Sequence, residues 1–330
     1  MCARTDGLIA PAGVPPSPIL PRKVIYAALG ADLAITAIKF TAAMVTGSSA
    51  MLSEGVHSMV DGINELLLLY GTHRGSRRPD AAHPFGHGRE LYFWSFIVAL
   101  LVLGLGAGIS FYEGVQHLLH PVPMRRALVN YLVLAGAFAC EAASGWVAFK
   151  AFRAAKGDRG YFAAFLASKD PSTFIVLFED IAAMLGVLIA GAGIALSQAL
   201  HAPRLDGAAS VAIGLLLSVS SILLARETKG LLVGEAAHPE VREAILAIAG
   251  ADADVLAVNG VVTFQMGPDQ VLAALSAEFR DGLGTDEIEG CVARIEAGVK
   301  RAHPEVRSLF VKPQSGATWR RQIEAFRPGS

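Results

Sequence analysis

Over the first two thirds of the chain, long apolar runs alternate with short polar joints. A helix needs ~20 mostly apolar residues to cross a bilayer. Six stretches have that length, at about 24–45, 50–71, 91–118, 128–149, 174–199 and 208–225. The pattern therefore predicts an α-helical membrane protein with six transmembrane helices. Only TGSS (46–49) separates spans 1 and 2, so they form a hairpin. Span 3 carries Gly104, Gly106 and Gly108, a small-residue stretch that predicts close approach of a neighbouring helix. No strand precedes these glycines, so they do not form a nucleotide loop.

Beyond about residue 235 the pattern changes to that of a soluble domain. Residues 241–249 read as a helix, and 255–264 and 271–279 as strands. TDEIEGCVARIEAGVKRAHP (285–304) is an amphipathic helix with Ile288, Val292, Ile295 and Val299 on one face. Thr285 suits its cap, Asp286 and Glu287 its first turn, and Pro304 follows its end. SLFVKP (308–313) reads as a last strand. The order αββαβ predicts a small two-layer α+β domain in the cytoplasm. The expected organisation is a disordered N-terminal tail (1–23), a six-span domain (24–230), the cytoplasmic domain (235–313) and a C-terminal tail (314–330). The N-terminal stretch has five prolines and reads as too broken for a signal peptide.

Composition supports this division. The 330 residues are 53% hydrophobic and 17% charged, with mean hydropathy +0.47. Soluble chains carry about 25% charged residues. A net charge of -1 gives no basic surface for nucleic acid. Cys2, Cys140 and Cys291 stand in no CxxC spacing, which argues against a disulfide scaffold or a zinc knuckle. Charge in the short loops sets orientation. Arg74, Arg77, Arg78 and Arg89 follow span 2, and Lys150, Arg153, Lys156, Arg159 and Lys169 follow span 4. The other side offers Arg125, Arg126 and Arg204. Excess Lys and Arg stay inside, so both termini are expected to be cytoplasmic and the protein multi-pass in the cell (inner) membrane.

Span 2 breaks its own apolar pattern with SEGVHSMVDGINE (53–65). At ~100° per residue, Glu54, His57, Asp61, Asn64 and Glu65 share one sector of the helix. His57 and Asp61 are one turn apart and both reach a single ion. A carboxylate in mid-membrane costs roughly 3 kcal/mol or more, so it faces the bundle and a partner. Imidazole with carboxylate suits zinc and related divalent metals. The bland alternative is a polar stripe that joins helices by hydrogen bonds.

Span 5 supplies a second cluster, VLFEDIAAMLG (176–186), with adjacent acids Glu179 and Asp180. Adjacent residues diverge by ~100°, so one of them aims at span 2. Asp180 is assigned that role, and Glu179 is the alternative. The third cluster lies in the loop after span 2, where Asp80, His83 and His87 have DxxHxxxH spacing. Pro84, Gly86 and Gly88 bend the chain so that three such ligands converge; the alternative is a solvated loop with chance histidines. Among the remaining ionisable groups, Lys39 is expected to snorkel to the outer surface. Asp32 is expected to pair elsewhere, and Glu141 to face the bundle or a neighbour, as a packing acid or a proton relay. Asp206 is expected to be the N-cap of span 6.

These residues resemble the cation diffusion facilitators, six-span divalent-metal/proton antiporters. The likeness lies in KFTAAMVTGSSAMLSEGVHSMVD (39–61), HPFGHGRE (83–90), YEGVQHLLHP (112–121) and LDGAASVAIGLLL (205–217). SKDPSTFIVLFEDIAAMLGVLIA (168–190) is most similar to the branch holding the mitochondrial zinc/proton antiporters. The resemblance implies a homodimer, a ferredoxin-like cytoplasmic domain and a transport site between spans 2 and 5. By matching position it implies His57, Asp61 and Asp180 as metal ligands, with Asp80, His83 and His87 as a second metal site at the cytoplasmic surface. No prosthetic group is implied, because Zn2+ or another divalent metal is the cargo.

The chain departs from that pattern in two places. Many zinc members have HxxxD in span 5, and here the His position holds Val176. Glu179 or water would complete the coordination, which makes a harder ion such as Fe2+ or Mn2+ more plausible beside Zn2+, with Co2+ and Cd2+ as further alternatives. The cytoplasmic domain is also poor in ligands, and His238 and His303 read as surface residues. Metal binding needs neutral imidazole and ionised carboxylate, so protons compete with metal and alternating access would turn that competition into exchange. The rival readings are an intramembrane metalloenzyme, which lacks an HExxH or a nucleophile with a base, and a non-transporting metal-binding scaffold or sensor.

Overall fold

In the computed structural model the described residues are 22–156, 160 and 169–326. The expected N-terminal tail and part of the basic loop after span 4, Arg159 included, fall outside them. Six helical segments precede residue 234 among the described residues. They are α1 (Arg22–Thr46), α2 (Ser49–Gly75), α3 with α4 (Arg89–Leu101 and Gly108–Leu119), α5 (Ala127–Lys156), α6 (Pro171–Ala199) and α7 (Arg204–Val233). Among the described residues, four helical stretches have the length and apolarity to cross a membrane: Arg89–Leu119, Ala127–Val147, Ile175–Ala199 and Arg204–Val233. In α2 the apolar run is broken by the polar stripe from Glu54 to Glu65.

Large apolar side chains cover the outside of the bundle. Met44, Leu128, Leu132, Leu188 and Val219 are all exposed. So extensive an apolar surface is rare on a protein surrounded by water and fits a lipid-facing one.

The α1–α2 turn is made by Gly47 at φ 71° and by Ser48, whose hydroxyl accepts from the Met51 amide at 3.1 Å. Such a cap satisfies an amide that the first helical turn leaves unpaired. α2 runs through the middle of the bundle and packs on α1, α3, α4, α6 and α7. Its polar stripe is therefore held inside protein rather than against lipid.

The glycines of span 3 do something other than the sequence suggests. Residues Val102–Ala107 form a π-helical turn between α3 and α4. A Cβ on Gly104 would meet nothing within 4 Å. Close approach is made instead between α4 and α7, where a Cβ on Gly114 would come within 2.6 Å of the Val211 nitrogen and one on Gly214 within 2.9 Å of the Phe111 nitrogen.

The C-terminal part follows the expected αββαβ order: α8 (Pro239–Gly250), β1 (Val255–Gly267), β2 (Gln270–Phe279), α9 (Thr285–Ala302) and β3 (Val306–Pro313). The sheet order is β1-β2-β3, with β1 antiparallel and β3 parallel to β2. Val241, Ile245, Leu275, Ile295 and Val299 share its core. The first turn of α9 is closed by Glu287, which accepts from the Gly284 amide at 2.7 Å, so Gly284 rather than Thr285 is the cap. A further helix, α10 (Gly316–Phe326), occupies part of the expected C-terminal tail. Its amphipathic TWRRQIEAF (318–326) was legible in principle.

This domain touches the membrane part beside α3. Arg89 donates to the Leu232 carbonyl and lies over the Phe264 ring, 5.3 Å from its centroid. Gly88 has no room for a Cβ beside Gln270 Oε1 and the Met266 carbonyl.

Candidate metal centre

The α2 stripe faces inward. Glu54, His57 and Asn64 are buried, and Asp61 and Glu65 are half-buried. His57 Nδ1 and Asp61 Oδ1 are 3.2 Å apart across one turn. Apart from that contact, neither His57 nitrogen nor Asp61 Oδ1 has a well-aligned hydrogen-bond partner among the described residues, and all three atoms are buried. Buried donor atoms left unmatched in this way are costly unless something else satisfies them. Two lone-pair donors one turn apart, in a water-poor interior, suit a cation.

Opposite α2 stands α6. Asn64 Nδ2 donates to Glu179 Oε1 at 2.8 Å, which turns Glu179 toward α2. Asp180 is buried and accepts from Ser144 of α5 at 3.3 Å, and a Cβ on Gly145 would lie 3.4 Å from the Asp180 Cβ. The two adjacent acids thus diverge, one toward α2 and one toward α5. Both remain within electrostatic reach of Asp61. Glu141 of α5 joins the same field, within reach of His57, Asp61 and Asp180. Glu65, at the other end of the stripe, meets Asp32 of α1. Val176, one turn before Asp180, puts no donor at that position.

Among the described residues, two triads bring their donor atoms within 4.8 Å of one another. One is Asp80, His83 and His87. Asp80 Oδ1 lies 3.3 Å from His83 Nδ1 and Oδ2 lies 3.2 Å from His87 Nε2, and the imidazole centroids are 4.3 Å apart. Hydrogen bonds, first from the His83 amide, hold the Asp80 carboxyl below the usual carboxylate range. The second triad is Asp252, Asp254 and Cys291, which sequence reasoning did not single out. There Arg294 already fills the space, donating to Asp252 at 2.9 Å and to Asp254 at 2.7 Å. That triad is an ion-pair network, with the Cys291 thiol as a further donor to Asp252 at 3.3 Å. The α2–α6 set is more open than either triad. His57, Asp61, Glu179 and Asp180 surround a common region without closing to ligating distance.

Two expectations are corrected. Lys39 does not snorkel outward. It is fully buried and bonded to Glu54 at 3.1 Å and to Ser58 at 2.7 Å. An ammonium held inside the bundle needs a paired carboxylate, because an unpaired buried charge is far costlier than a paired one. Asp206 does not cap its own helix, whose N-cap is Pro203. Its carboxylate caps α2 instead, accepting from the Ser49 amide at 2.6 Å and the Ser48 hydroxyl at 2.7 Å. His238, expected at the surface, accepts from the Glu240 amide at 3.3 Å and so starts α8, while His303 pairs with Glu305 at 2.9 Å.

Comparison with known proteins adds an independent line. The model of the cation efflux transmembrane domain matches residues 25–233. The mitochondrial proton-coupled zinc antiporter SLC30A9 of Mus musculus is 33% identical over 261 residues, 78% of this chain and 46% of its own. Its Homo sapiens counterpart matches at 33% over the same share. Metal tolerance protein C4 of Arabidopsis thaliana is 30% identical over 217 residues, 65% of this chain and 48% of its own. The chain spans about half the length of these relatives.

Proposed function

This chain belongs to the cation efflux family of membrane proteins, and on that premise we propose that it exports a divalent metal cation, Zn2+ or a near neighbour such as Fe2+, Mn2+, Co2+ or Cd2+, in exchange for protons. The observation that carries this reading is the buried pair His57–Asp61, whose ring nitrogens and carboxylate oxygen have no well-aligned hydrogen-bond partner among the described residues and which stands across from Glu179 on α6. It is a donor set without a substrate-activating nucleophile, which favours carriage over catalysis.

The ion loads when the imidazole is neutral and the carboxylates are ionised, because a proton and a metal cannot share one lone pair. His57 and Asp61 supply nitrogen and oxygen from α2. From α6, Glu179 is the acid turned toward α2 and would stand, or water would, in the place of the histidine that Val176 lacks, while Asp180, which leans on Ser144 of α5, would add its carboxylate from that side. In alternating access the ion is taken from the cytoplasmic side and released when protons entering from the other side displace it. The openness of the α2–α6 set suits such a carrier, since a site that must release its ion gains nothing from a rigid cage.

The finer architecture belongs to the same reading. Six spans at residues 24–230 would place both termini in the cytoplasm, in the inner membrane of the cell. The αββαβ domain at 235–313 would be ferredoxin-like and would serve a homodimer. Asp80, His83 and His87 would form a second, surface metal site.

The test is flux in proteoliposomes under an imposed pH gradient, with Zn2+, Fe2+, Mn2+, Co2+ and Cd2+ offered in turn. Metal movement with opposite proton movement is expected. Metal binding with no movement of any of the five ions would defeat the proposal.

A further inference from the structure

One turn before His57 on the same helix, Glu54 forms an ion pair that the exchange described above does not use. Lys39 Nζ lies 3.1 Å from Glu54 Oε2, and both side chains have zero exposure. Ser58 takes a second bond from the ammonium at 2.7 Å. Among the described residues the other carboxylate oxygen, Glu54 Oε1, is buried with no hydrogen-bond partner. It lies against α6 at Gly186, where a Cβ would collide with it. A carboxylate that only had to neutralise Lys39 gains nothing by burying a second oxygen unmatched, and apolar residues of the same volume would join α1 to α2 at less cost.

We infer that Glu54 is a further cation-handling residue, a station for the divalent ion one turn from His57–Asp61 toward the α1–α2 turn, which the Lys39 ammonium fills when metal is absent. Three residues of helix advance ~4.5 Å. His57 is therefore shared, within reach of Asp61 on one side and Glu54 on the other. An ion can step along the stripe with imidazole in its shell throughout. Polar groups continue in the same direction: Ser53 meets Ser210 at 2.8 Å, and Ser48 and Ser49 meet Asp206. Lys39 keeps the station from holding the ion. With the ammonium present the pair is neutral, and without it a bare carboxylate is added beside the site.

This inference rests on the proposed transport, and its test separates the two. Full-length protein carrying Lys39→Met, Glu54→Gln or both is measured for equilibrium Zn2+ affinity and, in proteoliposomes, for maximal rate and half-saturating Zn2+. Lys39→Met is expected to tighten binding about tenfold, ~1.4 kcal/mol, and to lower maximal rate and half-saturation together. Glu54→Gln, which leaves a bare ammonium beside the site, is expected to weaken equilibrium affinity about tenfold and to lower maximal rate about tenfold. The double variant is expected to combine wild-type affinity with the slow rate. Lys39→Arg, which keeps the cation, is expected to keep wild-type affinity. Should Lys39→Met fail to fold, Ser58→Ala removes the second bond to the ammonium and is expected to tighten binding in smaller measure. Wild-type affinity in Lys39→Met, or wild-type maximal rate in Glu54→Gln, would overturn the inference, as would a double variant that regains wild-type behaviour throughout, the signature of a purely structural pair. Wild-type protein that binds Zn2+ but moves none refutes the transport reading alone, because the affinity comparison still stands.

Discussion

Asn64 and Glu179 join the two helices that carry the candidate site, amide nitrogen to carboxylate oxygen at 2.8 Å. This bond decides which of two adjacent acids faces α2. Glu179 is held there, and Asp180 leans on Ser144 of α5. If both feed one ion, their roles differ. Removing a direct ligand ends transport, and removing a group that only orients one weakens it. Asp61→Ala and Asp180→Ala are therefore expected to insert normally but lose metal flux by at least about a hundredfold. Asn64→Ala, which strands Glu179 without its donor at a cost of ~1–2 kcal/mol, is expected to weaken metal affinity about tenfold. Proteoliposome flux and equilibrium binding check all three, and wild-type flux in Asp180→Ala would remove it from the ligand set.

Val176 stands one turn before Asp180, where an imidazole would add a second nitrogen to a donor set otherwise dominated by oxygen. Nitrogen ligands favour zinc over manganese, whereas carboxylates suit the harder ion. Val176→His is expected to raise the Zn2+:Mn2+ rate ratio several-fold in competition flux. An unchanged ratio would show that residue 176 does not reach the ion.

The loop triad gives a separate handle. Asp80, His83 and His87 already bring their donors within 4.8 Å, and the triad lies away from the α2 stripe. Two classes of metal site are expected in equilibrium titration, and His83→Ala with His87→Ala is expected to remove one of them and leave the other. Acidification should empty the loop class, because protons and metal compete for the same imidazole lone pairs. Asp80 is not the limiting group, since hydrogen bonds, first from the His83 amide, hold its carboxyl below the usual carboxylate range. A single class in the unmodified protein would argue against a loop site.

Much of this was legible in the sequence because the forces involved are local and periodic. The α2 stripe follows from helical spacing alone, and the amphipathic α9 from its repeat and its acidic first turn. What escaped depends on contacts between elements distant in the chain. Nothing near Lys39 announces that Glu54 lies opposite, since the α1–α2 hairpin sets that register. Nor does the text around Asp206 reveal that its carboxylate caps a helix 157 residues earlier. The glycines of span 3 misled for a related reason. Small residues signal either close packing or irregular backbone, and here the π-helical turn took Gly104 and Gly106 while Gly114, Gly207 and Gly214 made the packing.

The cap from α7 to α2 has a measurable consequence. Asp206 accepts from the Ser48 hydroxyl, the Ser49 amide and the Ser49 hydroxyl, all buried. Asp206→Ala leaves those donors unmatched, and stranding buried groups costs ~1–3 kcal/mol. For a domain of about 200 residues that corresponds to a fall in Tm of roughly 2–4 °C per kcal/mol. Thermal unfolding in detergent checks the loss, and Ser210→Ala, which breaks only the neighbouring Ser53 contact, is expected to fall less.

In the C-terminal domain Arg294 donates to both Asp252 and Asp254, and these bonds hold the Asp252 carboxyl well below the usual carboxylate range. A carboxyl depressed on folding contributes stability that is complete above its unfolded pKa near ~3.9 and drains away as pH falls toward the folded value. Arg294→Ala removes the cause of the depression. The variant is expected to lose that contribution wherever it is complete, so its C-terminal domain is less stable at neutral pH and unfolds at a higher pH on acidification, while its difference from wild type narrows as falling pH protonates Asp252 in the wild type. Cys291 reports the opening, because its side chain is fully buried beside Asp252, and burial first, then the Asp252 hydrogen bond, pushes its thiol up to about 11. Thiol-exchange labelling of Cys291 across pH 2–6, read by peptide mass, is expected to begin at higher pH in Arg294→Ala. Identical labelling profiles would show that the domain's acid tolerance does not depend on this network.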